Sequence, residues 1–149
     1  MRYLLLASVG LLLSCSATKK AAKGADGKDG KGAVALEYTT WELSSIPGFE
    51  IESNLSKKVT IHFTDSTKRV GGNAGCNGYG GTYEISGSKL KFGQMMATKM
   101  ACMPGMKTEN KYLAVLGEID SYEIAGDKLM LKKGATVLVE LKKGTKTQK

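Results

Sequence analysis

The side chains able to do chemistry are few and clustered. The chain holds three cysteines, one histidine and seven methionines. Cys76 sits in the glycine-rich stretch GGNAGCNGYGGTYE, Gly71 to Glu84, and Cys102 sits in MMATKMACMPGM, Met95 to Met106. Met100, Met103 and Met106 recur at every third position around Cys102, and soft thioether sulfur suits Cu(I). The same methionines also suit a structural part, because flexible unbranched side chains fill irregular core gaps, and we favour that part over a metal site. His62, in VTIHF, has no second histidine with which to build a metal site. A nucleophile would need a base beside it. Yet Glu37, Glu42, Glu84, Asp120, Glu123 and Glu140 are spread among strand-like segments, as solvated carboxylates usually are. These residues point to no enzyme and no cofactor.

The glycine-rich stretch raises the question of a phosphate loop. Such a loop needs a lysine followed by serine or threonine after its last glycine, at the mouth of a helix. Here Gly81 leads into TYEIS, whose alternation is that of a strand. The dinucleotide-binding fingerprint fails for the same reason. Glycines between strands mark bulges, tight bends and close backbone approach, so the stretch is expected to be punctuation in a β-sheet.

Cys15 closes an apolar run from Leu4 to Leu13. That run is about half of the ~20 residues a membrane-spanning helix needs, which marks a cleaved leader. Leu12-Leu13-Ser14-Cys15 resembles the bacterial lipobox, and the resemblance implies cleavage before Cys15, a diacylglycerol on its thiol and acylation of its new amine. Residues 1–14 are then a lipoprotein signal peptide. Residues 15–35 carry the lipid and a Gly/Lys/Ala tether with too little apolar surface to offset its ordering entropy, roughly 25 Å in root-mean-square span. Ser16 stands where an aspartate would resemble an inner-membrane retention signal, which implies the outer membrane. With Cys15 lipidated, Cys76 and Cys102 have only each other, and outside the cytoplasm such a pair is expected to oxidise.

The elements that must position these residues are mostly strands. Residues 36–142 make one domain of ordinary size, with a basic tail at 143–149. Period-two alternation points Val59, Ile61 and Phe63 to one side, and it pairs Tyr83 with Ile85, Leu90 with Phe92, and Val137 with Val139 and Leu141. Further strands are expected around Thr40 to Ser44, Tyr122 to Ile124 and Lys128 to Leu131, with tight turns at Ser86-Gly87-Ser88 and Gly126-Asp127. Only Thr108 to Ile119 reads as a helix. Tyr112, Val115, Leu116 and Ile119 share its apolar face, Thr108 serves as N-cap, and Glu109 lies at the positive end of the dipole. The expected fold is mainly β, a small antiparallel barrel-like sheet of about seven or eight strands with one α-helix. Its core should bury Trp41, Ile61, Phe63, Tyr83, Ile85, Leu116 and Val139 together.

Over nearly the whole of Thr39 to Leu141 the sequence resembles a known family. The segments TWEL, GCNGYGGTYEISGSKLKF, ATKMAC, ENKYLAVL and YEIAGDKLMLKKGATVLVEL look like the META, or HslJ-like, domain of bacterial lipoproteins and secreted proteins. The most specific parts are Gly75-Cys76-Asn77 and Met100-Ala101-Cys102. Ala97 stands where the family usually has a second threonine, and Leu141 lies near a position where phenylalanine is frequent. The resemblance implies a β-rich barrel with a helix, a place in the envelope, links to heat or antibiotic stress and no established catalysis. Gly75, Asn77 and Met100 are then motif residues with a structural part.

Charge bears on partners. The formal net charge of +8 favours anionic envelope components such as lipid headgroups, lipopolysaccharide phosphates or acidic cell-wall polymers. Nucleic acid is not expected, because lipidation takes the protein away from it. The expected function is that of a non-catalytic envelope lipoprotein, held to the membrane by its N-terminal lipid, that binds or stabilises another envelope component or protein under stress. The alternative is a small-ligand or Cu(I)-binding protein that uses Met100, Met103 and Met106.

Overall fold

Residues that alternate apolar and polar must bury one face, and a short antiparallel sheet does so by curling until its edges meet. A computed structural model describes residues 35–146. The expected leader, Cys15 and nearly all of the tether lie outside the described residues, as do residues 147–149. The elements follow the order β1 (Thr39–Ser45), β2 (Val59–Thr64), β3 (Arg69–Ala74), β4 (Gly78–Ser86), β5 (Lys89–Phe92), β6 (Met96–Ala97), α1 (Met106–Leu116), β7 (Ser121–Ala125), β8 (Lys128–Lys133) and β9 (Thr136–Lys146).

These form one 9-stranded sheet of order β3-β2-β1-β9-β8-β7-β5-β4-β6, and a further β3–β4 pairing closes it into a ring. Every pairing is antiparallel. One edge of β4 pairs with β3, while the other takes β5 at Tyr83 to Ser86 and β6 at Tyr79 and Gly80. The seam between β5 and β7 is the thinnest, with the single register pair Lys89↔Ser121. It is flanked by the Leu90 N–H to the Asp120 carbonyl at 3.1 Å and the Tyr122 N–H to the Ser88 carbonyl at 3.0 Å.

The barrel and the helix are as expected, but β3 and β6 are additional. The glycine-rich stretch supplies the tight bend and close backbone approach expected of it, at Gly75 and Gly72, but it is not confined to the space between strands. It forms most of β3, the turn after it and the first half of β4. RVGGNA lacks the large alternating residues that mark a strand, yet Val70 and Ala74 face inward opposite Phe63 and Val59. Between them Gly72 pairs with Ile61, and a Cβ there would lie 2.0 Å from the Thr60 carbonyl oxygen. The β2–β3 pair approaches too closely for any side chain at that point. β9 also continues to Lys146, opposite Thr39, past the boundary expected at Lys142.

Trp41, Ile61, Phe63, Tyr83, Leu116 and Val139 share one core. Burying an aliphatic side chain of this size contributes about 1.5–3 kcal/mol. Phe63 meets Tyr83 edge-on at 5.1 Å and stacks with Phe92 at 6.1 Å. Ile85 departs from expectation and is only partly buried. β3 begins at Arg69, opposite Thr82, so β4 beyond that point is an overhang with no β3 partner at the rim.

α1 starts at Met106 and ends at Leu116, earlier at both ends than the expected Thr108 to Ile119. Thr108 is not the N-cap. Gly105 occupies that position and brings no side-chain hydrogen bond, which leaves the helix start to be satisfied from elsewhere in the chain. Ile119 is buried but lies after the helix.

Candidate functional site

The turn between β3 and β4 carries Gly75, Cys76 and Asn77, and the chain folds there for local reasons. Gly75 has φ +105°, a conformation that side chains disfavour. Its N–H donates to Asn73 Oδ1 at 2.9 Å, and its carbonyl accepts from the Ser56 hydroxyl at 2.9 Å and the Lys57 N–H at 3.1 Å. The Ala74 N–H donates to the Asn77 carbonyl at 2.9 Å and closes the turn.

Asn77 is fully buried, so each of its polar groups needs a partner. Its backbone N–H donates to Glu109 Oε2 at 2.7 Å. Its side-chain Nδ2 donates to Glu109 Oε1 at 2.9 Å and to the Met100 carbonyl at 3.0 Å. Its Oδ1 accepts from the Thr98 hydroxyl at 2.8 Å and from the Met100 N–H at 2.8 Å. A side-chain amide has two donors and two acceptor sites, and all four are used. These partners also fix which way round the amide sits, since carboxylate and carbonyl face nitrogen while hydroxyl and N–H face oxygen. Glu109, expected only as a dipole partner, is the buried carboxylate that ties α1 to the motif turn.

Cys76 and Cys102 flank this network, with Cα atoms 5.8 Å apart and their sulfurs within bonding reach. That separation lies within the range a disulfide spans. Met100 therefore binds Asn77 through its backbone, whereas its thioether is exposed. Thr98 takes the outer lone pair of Asn77 and so does work that Ala97, the departure from the family pattern, does not.

The bare helix start is capped by a residue far away in the chain. The Thr108 N–H donates to Glu52 Oε2 at 2.8 Å, and the Glu52 N–H donates to Thr108 Oγ1 at 3.0 Å. This is the reciprocal geometry of a capping box, with Glu52 in place of the missing cap side chain. The Thr108 N–H, helped by Gly105 and Lys107, holds the Glu52 carboxyl below its ordinary range. One turn further on, the Tyr112 and Tyr79 hydroxyls lie 3.0 Å apart, and the Tyr79 hydroxyl also reaches the Thr60 carbonyl at 2.9 Å. Burial pushes both phenols up, Tyr79 well above its ordinary value.

A META-domain family profile matches residues 34–145. The chain belongs to the META-domain family. Among solved structures, an NMR structure of a protein from Burkholderia xenovorans aligns with TM-score 0.62 at 27% identity, covering 80% of this chain and 97% of that one. A second NMR structure aligns with TM-score 0.56 at 22% identity, covering 72% and 90%. A crystal structure of a DUF4847 family protein from Bacteroides vulgatus shares the fold alone, with TM-score 0.51 at 12% identity, covering 76% and 96%. No protein with a curated description matches.

The META motif is thus assembled from three separate segments, Gly75 to Asn77, Thr98 to Cys102 and Thr108 to Glu109. The other sequence candidates do not join it. Met100 and Met106 line a cleft of about 410 Å³ beside Asn77 and α1, but Met103 is 95% exposed and lies outside it. The expected filling of core gaps is met by Met95, which packs against the core, and not by Met100 or Met103. His62 faces outward from β2 opposite Gly71. Among the described residues no three of His, Cys, Asp and Glu converge on a point that could hold a metal. Sequence reasoning missed Glu52 and Thr98. The local signal for Glu52 is weak, since its partner lies 56 residues away.

Proposed function

We propose that this META-domain protein is a non-catalytic lipoprotein of the bacterial envelope, anchored through Cys15 to the outer membrane, that binds or stabilises another envelope component. One observation carries the reading. Every hydrogen-bonding position of the buried motif residue Asn77 is used inside the fold, on Glu109, Met100 and Thr98. An amide so fully paired has no donor or acceptor left to offer a substrate, which fits a scaffold whose outer surface does the binding.

The course of the chain supports an anchor at one end. Leu36 to Tyr38 are held at the Phe63 end of β2. The Trp41 indole N–H donates to the Leu36 carbonyl at 3.1 Å, the Tyr83 hydroxyl donates to Glu37 Oε1 at 2.6 Å, and Lys68 pairs with Glu37 at 3.3 Å. The motif turn lies at the other end of β2, since Ala74 pairs with Val59. A tether leaving from Leu36 would keep the far end and the barrel wall free for a partner. Palmitate labelling of wild type and Cys15→Ser tests the anchor, and crosslinking in intact cells tests the partner. A labelled wild type, an unlabelled variant and a reproducible envelope adduct are expected. Unlabelled wild type in the soluble fraction would overturn the anchor, and recovery without any adduct would overturn the binding role.

A further inference from the structure

Two glycines on the outer wall of the barrel, Gly78 and Gly80, stand where nothing in the fold asks for them. Alternation along β3 and β4 turns Gly71, Gly78 and Gly80 toward the outer face, because their neighbours Val70 and Tyr79 point inward. Gly71 is itself buried, and a Cβ there would lie 3.2 Å from the Tyr79 carbonyl oxygen and 3.5 Å from the His62 ring. At Gly78 a Cβ would meet only the Gly72 carbonyl oxygen at 3.8 Å, and at Gly80 only the Val70 carbonyl oxygen at 3.5 Å. Both are ordinary contacts, and neither residue has positive φ. A side chain fits at either position, and glycine in a strand interior weakens the strand. With no bulge or bend at Gly78 and Gly80, such a glycine leaves room for a ligand or another backbone to approach closely.

The surroundings say what kind of ligand. One register row crosses the wall from His62 on β2 through Gly71 and Gly80 to Met96 on β6. The His62 ring lies against Gly71 and forms one side, Met96 forms the other, and Gly78 and Gly80 are the open floor of a groove of about 580 Å³. Gly78 and Gly80 lie roughly 7 Å apart along β4, the length of one six-membered ring. Met96, 68% exposed, gives an apolar side. Arg69 closes one end, and no carboxylate pairs with it among the described residues. Its guanidinium can take a carboxylate through two parallel hydrogen bonds. Thr98 also lines the groove. A ring with an apolar face, hydroxyl groups and one carboxylate matches this set, and the net charge of +8 attracts a polymer of such rings.

We propose that the groove over Gly78 and Gly80 binds an acidic saccharide ring, with the ring face on these two glycines and its carboxylate on Arg69. The site rests on the binding role proposed above and gives it an address. It does not depend on the lipid anchor.

The test is an NMR titration of the full chain with trigalacturonic acid and with its methyl ester, which has the same shape without the charge. The acid should shift the amides of Arg69, Gly71, Gly78, Gly80 and Met96, and the ester should bind at least ten-fold more weakly. Arg69→Gln should cost the acid about ten-fold. Gly80→Val should abolish binding while the melting temperature stays unchanged or rises, because a strand former replaces glycine. Four results would overturn the proposal: no shift at millimolar acid, equal binding of acid and ester, shifts scattered over lysine-rich surface, or a Gly80→Val variant that binds like wild type. Such a failure would leave an adduct found in intact cells standing and would move the partner to another surface.

Discussion

Asn77 shows how much one side chain can hold. It joins the motif turn, the segment before Cys102 and the first turn of α1, and it faces the buried carboxylate of Glu109. Asn77→Ala should cost about 3 kcal/mol in a denaturant melt, because it strands a carboxylate oxygen and the Met100 amide without partners. Asn77→Asp keeps the size but sets two carboxylates side by side, so it should cost more at neutral pH. The loss should shrink as acid protonates the pair. His62 offers a second test. Burial holds its imidazole below the ordinary value of 6.5, so the unfolded chain binds a proton first as pH falls. That group therefore costs stability as pH drops below about 6.5. The melting temperature of Gly71-facing His62→Gln should fall less over that range than that of wild type.

At the scale of elements, the question is how α1 stays attached. Its N-terminus has no side-chain cap of its own, and Glu52 supplies one from the β1–β2 connection. The Glu52 carboxyl is held below its unfolded value, so its contribution is present above about pH 4.5 and is lost as pH falls through the lower folded value. Glu52→Gln should flatten the acid limb of a melting-temperature profile. Thr108→Val removes the acceptor for the Glu52 N–H and should cost about 1–2 kcal/mol. The cysteines are placed for a covalent tie. With a sequence separation of 26 between Cys76 and Cys102, closing that loop should contribute about 3.5 kcal/mol in the chain-entropy model. Cys76→Ala, Cys102→Ala and the double variant should therefore melt alike under oxidising conditions. A thiol titration of denatured, unreduced protein is expected to find neither thiol free.

Taken as a whole, the molecule is a closed ring with its chain entering at one end and its family motif at the other. Met100 and Met106 line the cleft beside α1 without Met103. Two neutral thioethers are a weaker Cu(I) set than the three methionines expected to act together, so Cu(I) added under reducing conditions should leave the melting temperature unchanged and show no stoichiometric uptake. Apolar alternation was enough to determine β1, β2, β5, β7, β8, β9 and the core from Trp41 to Val139, because a period-two pattern can bury only one face of a strand. The helical spacing of Tyr112, Val115 and Leu116 likewise determined α1. β3 was invisible, since glycine erases the pattern that alternation writes. Only tertiary structure decided that Glu52 caps α1, that Glu109 answers Asn77 across 32 residues, and that the glycines make a wall. The physical reason is closure: partners far apart in the chain meet when the ring fixes their register, and no local propensity encodes that meeting.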